Sequence, residues 1–98
     1  MCGIFAYKGN LSNKKDLKKH IEKISYRGPD NSKIVELDDS LLFGFHRLAI
    51  IGINELGDQP LFHPNNENLA LICNGEIYNY KLLAKKHGFD LKTGSDCE

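Results

Sequence analysis

No apolar run in these 98 residues approaches the roughly 20 that a helix needs to cross a bilayer. The N-terminus also lacks the basic stretch and following apolar stretch of a secretory leader. These absences predict a soluble, cytoplasmic chain without membrane partners. Neither charge is in excess, with 13 basic and 13 acidic side chains and no long block of one sign. Nucleic acid and anionic surfaces are therefore not the expected partners, and a small molecule or another protein is. Three cysteines are present with no Cys-x-x-Cys spacing, which supports neither a disulfide framework nor a zinc site. Internal repeats and low-complexity tracts are also absent. A chain of this length allows one small domain with a limited core.

What is present reads as strand, helix, strand, strand, helix, a mixed α and β pattern of the α+β class. Gly3 to Tyr7 is apolar at successive positions, which predicts a strand covered on both faces. In "LSNKKDLKKHIEKISYRG", Leu17, Ile21 and Ile24 recur at helical spacing. Ser12 or Asn13 is the expected N-cap, and the lysines and His20 read as a solvated face. "LLFGFHRLAII", after the turn-forming Asp38-Asp39-Ser40, and "LALIC" read as further strands. "GINELGDQPLFHPNNEN" between them is rich in Gly, Pro and Asn and reads as a long functional loop tacked down by Leu61 and Phe62. A last helix begins near Asn79, with Leu82 and Leu83 inward and Gly88 as its stop.

The cysteines differ in address. Cys73 reads as a buried small hydrophobe and Cys97 as incidental among polar neighbours, whereas Cys2 follows the initiator methionine. A thiol attacks as thiolate and ionises near pH 8.5, so near neutrality it needs a base or an electropositive setting. If Met1 is removed, the α-amino group of Cys2 supplies that base, because such groups ionise at about 7.7 to 8.0. The plain alternative is a structural or inert thiol.

Attack on a carbonyl requires donors for the developing oxyanion, and "CNGEIYNY" offers the Asn74 side-chain amide and the Gly75 N–H. Asn-Gly is equally the signature of a hairpin turn. Arg47, at the end of an apolar strand, suits a carboxylate, and Glu76 and Asp96 suit an ammonium group. Each of the three also reads as a surface ion-pair partner.

Six segments, "MCGIFAYKG", "YRGPD", "HRLAIIG", "DQPLF", "NGEIYNY" and "GSDCE", stand in the order found in class II glutamine amidotransferases. Their wording resembles most closely the N-terminal glutaminase domain of glutamine-hydrolysing asparagine synthetases, and the resemblance runs from Met1 to Glu98. It implies an N-terminal nucleophile hydrolase with an αββα sandwich, of which this chain would supply the N-terminal half. Cys2 would attack the side-chain amide of L-glutamine and form a glutamyl thioester, with Asn74 and Gly75 as the oxyanion hole. Arg47, with the backbone of Leu48, Ala49, Ile50 and Ile51, would bind the substrate carboxylate, and Glu76 and Asp96 its amino group. "RGPD" would begin a loop that closes over the substrate. Asn31-Ser32-Lys33 after "RGPD", and Gly52, depart from the usual family wording.

The same resemblance implies no metal or cofactor for this chain. ATP and Mg belong to a synthetase domain that is not in it, and that domain, on another chain or a longer form of this one, would be the ammonia-receiving partner. Beside the enzyme reading stands a second: a truncated, non-catalytic fragment, or a regulatory or structural partner of a synthetase.

Overall fold

The computed structural model describes residues 1–49 and 55–98. Strand β1 (Gly3–Lys8) leads through a 3-10 turn (Leu11–Asn13) into helix α1 (Lys14–Glu22). A second 3-10 turn (Ser25–Arg27) delivers the chain to β2 (Asn31–Asp38), which turns back into β3 (Leu41–Arg47). After a third 3-10 turn (Glu55–Gly57) come β4 (Leu61–His63), β5 (Asn66–Leu71) and helix α2 (Tyr80–His87). Both sheets are antiparallel, one in the order β1-β3-β2 and the other the pair β4-β5. The mixed class read from the sequence is the class observed.

The core lies on one face of the larger sheet. Leu42 of β3 and Leu17 and Ile21 of α1 are buried together with Leu11, and Phe5 and Tyr7 pack against them. The helix carries its apolar residues at the expected spacing, and its lysines face outward. Asn13, one of the two residues expected, is its N-cap but makes no side-chain cap bond; the side chain that caps is Asn10, which accepts the Ser12 N–H at 2.9 Å at the head of the preceding 3-10 turn. Gly44 opposite Phe5 lets the helix approach, because a Cβ there would lie 3.0 Å from two carbons of Ile21. On this same face His46 has both ring nitrogens engaged. Nε2 is 2.9 Å from the Ile21 carbonyl and Nδ1 2.6 Å from the Ser32 hydroxyl. A carbonyl only accepts, so Nε2 donates to Ile21.

The other face of β3 presents Phe43, Phe45 and Arg47 by strand alternation. β1 is not covered on both faces as its composition suggested: Ile4 is 39% exposed, and Ala6 is exposed too. Among the described residues, no layer packs over that side of β1.

Four further features depart from the sequence reading. The stretch after "RGPD" is strand β2 and not a loop. Its Lys33, Glu36 and Asp38 masked the alternation, and an edge strand tolerates such charge. The expected long loop contains β4 and the first half of β5, which joins it through Leu61 opposite Leu71 and Phe62 opposite Ala70. "LALIC" accordingly ends its strand at Leu71, and Asn74-Gly75 is not a hairpin turn. In α2, Gly88 adopts the left-handed conformation at φ 70° and stops the helix as expected, but Leu82 is 65% exposed while Leu83 is half-buried. Consecutive helical residues point about 100° apart, so a helix seated along one line buries one of them.

Ile21 is the hinge of this packing, fully buried against Gly44. Ile21→Ala should lower unfolding free energy by about 2–5 kcal/mol in urea titrations followed by circular dichroism, the cost of a cavity that the sheet cannot close.

Candidate functional site

Antiparallel pairing puts Gly3 opposite His46, so the residue before Gly3 emerges beside the end of β3. Cys2 is half-buried there. Its Sγ lies 3.4 Å from the Leu48 nitrogen, whose N–H points at the sulfur, and 3.7 Å from the Leu48 carbonyl oxygen. The Cys2 carbonyl accepts from Arg27 Nε at 3.3 Å. The segment "RGPD" thus braces the Cys2 backbone at one end. At its other end the Asp30 N–H donates to the Arg47 carbonyl at 2.9 Å, and the Asp30 carboxylate accepts the Ala49 N–H at 2.7 Å. Gly28 between them is pressed against β3, where a Cβ would fall 2.1 Å from the His46 carbonyl oxygen, so no other residue fits without moving the strand.

Cys2 opens onto a cavity of about 320 Å³ on the face of β3 opposite α1. Arg47, Leu48, Asn74, Gly75, Glu76 and Asp96 line it as well. Residues from the end of β3, the segment after β5 and the C-terminal segment therefore converge on one concavity. Ala49 is not among its walls, its N–H being turned to Asp30. Ile50 and Ile51 lie outside the described residues.

Each wall is held by specific bonds. Arg47 is buried, and its Nη1 meets Asp58 Oδ1 at 2.6 Å; Asp58 also accepts from the Asn31 side-chain amide. Asp96 accepts the Ile77 N–H at 2.6 Å, tying the C-terminal segment to the backbone just after Glu76. The Cys73 N–H donates to the buried Gln59 side chain at 2.5 Å, which anchors the residue preceding Asn74. Asp58 and Gln59, within "DQPLF", have no role legible in the sequence alone. The available signal was an acid and an amide, adjacent, in a segment otherwise read as loop.

Cys73 and Cys97 also differ from expectation. Both line the cavity, with Cys97 buried, Cys73 half-buried and their sulfurs 3.1 Å apart. Burial, and next the Cys73 thiol, push the Cys97 thiol up to about 12. His46, facing away with both nitrogens engaged, is no base for Cys2. Among the described residues, no group of three or more His, Cys, Asp or Glu side chains is placed to hold a metal ion, and no helix is long and apolar enough to cross a membrane.

Two measurements check these supports. Asp58→Ala removes a partner of buried Arg47 and should cost about 3 kcal/mol of stability, while the joint replacement Arg47→Met and Asp58→Leu should cost less, since an apolar pair leaves no buried charge. Glu98 is held below the ordinary carboxylate range: burial works to raise it, but the N–H groups of Lys92 and Thr93 and the Thr93 hydroxyl outweigh burial. Its contribution to stability is complete above the ordinary carboxylate range and is lost as pH falls through the lowered value. Acid titration of Glu98→Gln should show a shallower loss of stability than wild type below that range.

A family model described as "Glutamine amidotransferase domain" matches residues 1–98. A probable asparagine synthetase [glutamine-hydrolyzing] of Acanthamoeba polyphaga mimivirus is 44% identical over all of this chain, which covers 18% of that protein. A probable asparagine synthetase [glutamine-hydrolyzing] of Dictyostelium discoideum is 43% identical, and asparagine synthetase [glutamine-hydrolyzing] 2 of Arabidopsis thaliana 41%. Each again matches over the whole chain, which covers 18% and 17% of them. The chain spans less than a fifth of the length of these relatives. With the family model matched along its whole length, the chain belongs to the glutamine amidotransferase domain family.

Proposed function

We propose that this chain hydrolyses the side-chain amide of L-glutamine and delivers the ammonia to an asparagine-forming synthetase domain. The observation that supports this reading is the convergence of Cys2, Arg47, Asn74 and Asp96 on a single cavity. Removal of Met1 frees the α-amino group of Cys2, which takes the thiol proton as sulfur attacks the amide carbon. The Asn74 side-chain amide and the Gly75 N–H donate to the oxyanion of the tetrahedral intermediate. The α-ammonium returns its proton to the leaving nitrogen, the C–N bond breaks, and ammonia departs from a glutamyl thioester. Water then loses a proton to the same amine and attacks the thioester, the C–S bond breaks, and glutamate and the Cys2 thiol are released.

Arg47, kept in orientation by Asp58, would take the substrate α-carboxylate with the Leu48 backbone beside it, and Glu76 and Asp96 would take its ammonium. In the same reading, residues 1–98 form part of an N-terminal nucleophile hydrolase sandwich of the αββα kind, in a cytoplasmic protein whose ATP and Mg chemistry belongs to the synthetase domain. A second reading is favoured by the apolar side chains left open on the sheets, among them Phe62, Leu69 and Leu71 at 47%, 54% and 44% exposure. In it the chain is a non-catalytic partner of a synthetase that covers these residues.

The purified chain, with Met1 removal verified by intact mass, should release glutamate from glutamine. Cys2→Ala should fall to the uncatalysed background, and Asn74→Ala should lower kcat by about 10²–10³. A folded, processed protein that releases no more glutamate than Cys2→Ala would establish the non-catalytic reading instead.

A further inference from the structure

The cavity contains a second pair of chemically reactive groups that amide hydrolysis does not use. Cys97 Sγ donates to Cys73 Sγ at 3.1 Å, and a disulfide needs about 2.05 Å, so roughly one ångström of closure separates contact from bond. The two residues come from segments already fastened near one another, Cys73 by Gln59 and the chain beside Cys97 by the bond from Ile77 to Asp96. We propose that Cys73 and Cys97 are a redox-modification site that hydroperoxides oxidise to a reversible disulfide.

Exposure and protonation assign the order of events. Cys73 is half-buried on the cavity wall, whereas Cys97 is buried and holds its proton. Burial, and next the Cys73 thiol, push the Cys97 thiol up, so its thiolate at neutral pH is scarcer than that of an ordinary cysteine. Cys73 sulfur therefore attacks the peroxide O–O bond; one oxygen stays on sulfur as a sulfenic acid and the other leaves as the alcohol, or as water when the oxidant is hydrogen peroxide. Cys97 sulfur then attacks the Cys73 sulfenic sulfur and expels its hydroxyl, which leaves as water with the Cys97 proton. In sum two thiols and one hydroperoxide give one disulfide, water and the reduced peroxide fragment. A small dithiol restores the pair by exchange through Cys73, the more accessible sulfur. The bond links the residue before Asn74 to the residue after Asp96.

The test is independent of amide hydrolysis. The full chain is treated with one equivalent of hydrogen peroxide, blocked with an alkylating agent and digested without reduction. The expected map joins the Cys73 and Cys97 peptides, with the mass loss of two hydrogens, leaves Cys2 alkylated, and returns to three alkylated cysteines after dithiothreitol. In Cys97→Ser the oxidation should stop at a sulfenic acid on Cys73 that dimedone traps, with circular dichroism confirming the fold; Cys73→Ser should leave Cys97 a thiol. A cross-link through Cys2, or oxidation of Cys2 while Cys73 and Cys97 stay fully alkylated, overturns the proposal.

Discussion

Pairing of β1 with β3, from Gly3 opposite His46 to Lys8 opposite Leu41, determines where residue 2 leaves the sheet, and the cavity is built around that exit. The ladder is held in register by its buried face. A shift of one residue would turn Phe5 and Tyr7 away from α1 and bring Ile4 and Ala6 onto it. Gly44 and Ile21 make this tight, since the strand is glycine where the fully buried Ile21 of the helix meets it. The helix has no direct part in the site, but its packing sets the register that brings Cys2 to Leu48.

A second set of bonds works across the ends of the strands. "RGPD" joins the Cys2 carbonyl, through Arg27, to the backbone of residues 47 and 49, through Asp30. Asp58 and Gln59 reach in opposite directions, one to the guanidinium at the end of β3 and the other to the backbone N–H ahead of Asn74. Buried polar groups that are fully paired hold one geometry, because breaking any pair leaves an uncompensated group in a low-dielectric place. The walls of the cavity are thus positioned mainly by side chain to backbone bonds between segments without regular secondary structure.

How legible this was depended on range. α1 was readable because its apolar spacing is local, and Gly88 was readable as a stop because a left-handed residue is a local demand. β2 was not, since its charges hide a strand whose only requirement is one edge contact with β3. β4 was hidden by the Pro and Asn around it, and its pairing with β5 is a property of two segments at once. Cys97 was misjudged for the same reason: its neighbours in sequence are polar, and its burial comes from Cys73 and Gly75, both more than twenty positions away.

From the sequence alone came the chemical inventory: a thiol that becomes terminal if Met1 leaves, an amide and a glycine in tandem, an arginine at a strand end, and the ordered motifs of one family. Those are properties of residue identity and order, which the chain carries before it folds. The tertiary structure decided that Asn74-Gly75 lines a cavity and does not turn a hairpin, that "RGPD" serves as a brace, and that Cys73 and Cys97 meet. Such outcomes depend on which distant groups come within bonding distance, and the β1–β3 ladder together with the bonds of Asp30, Asp58, Gln59 and Asp96 brings them there.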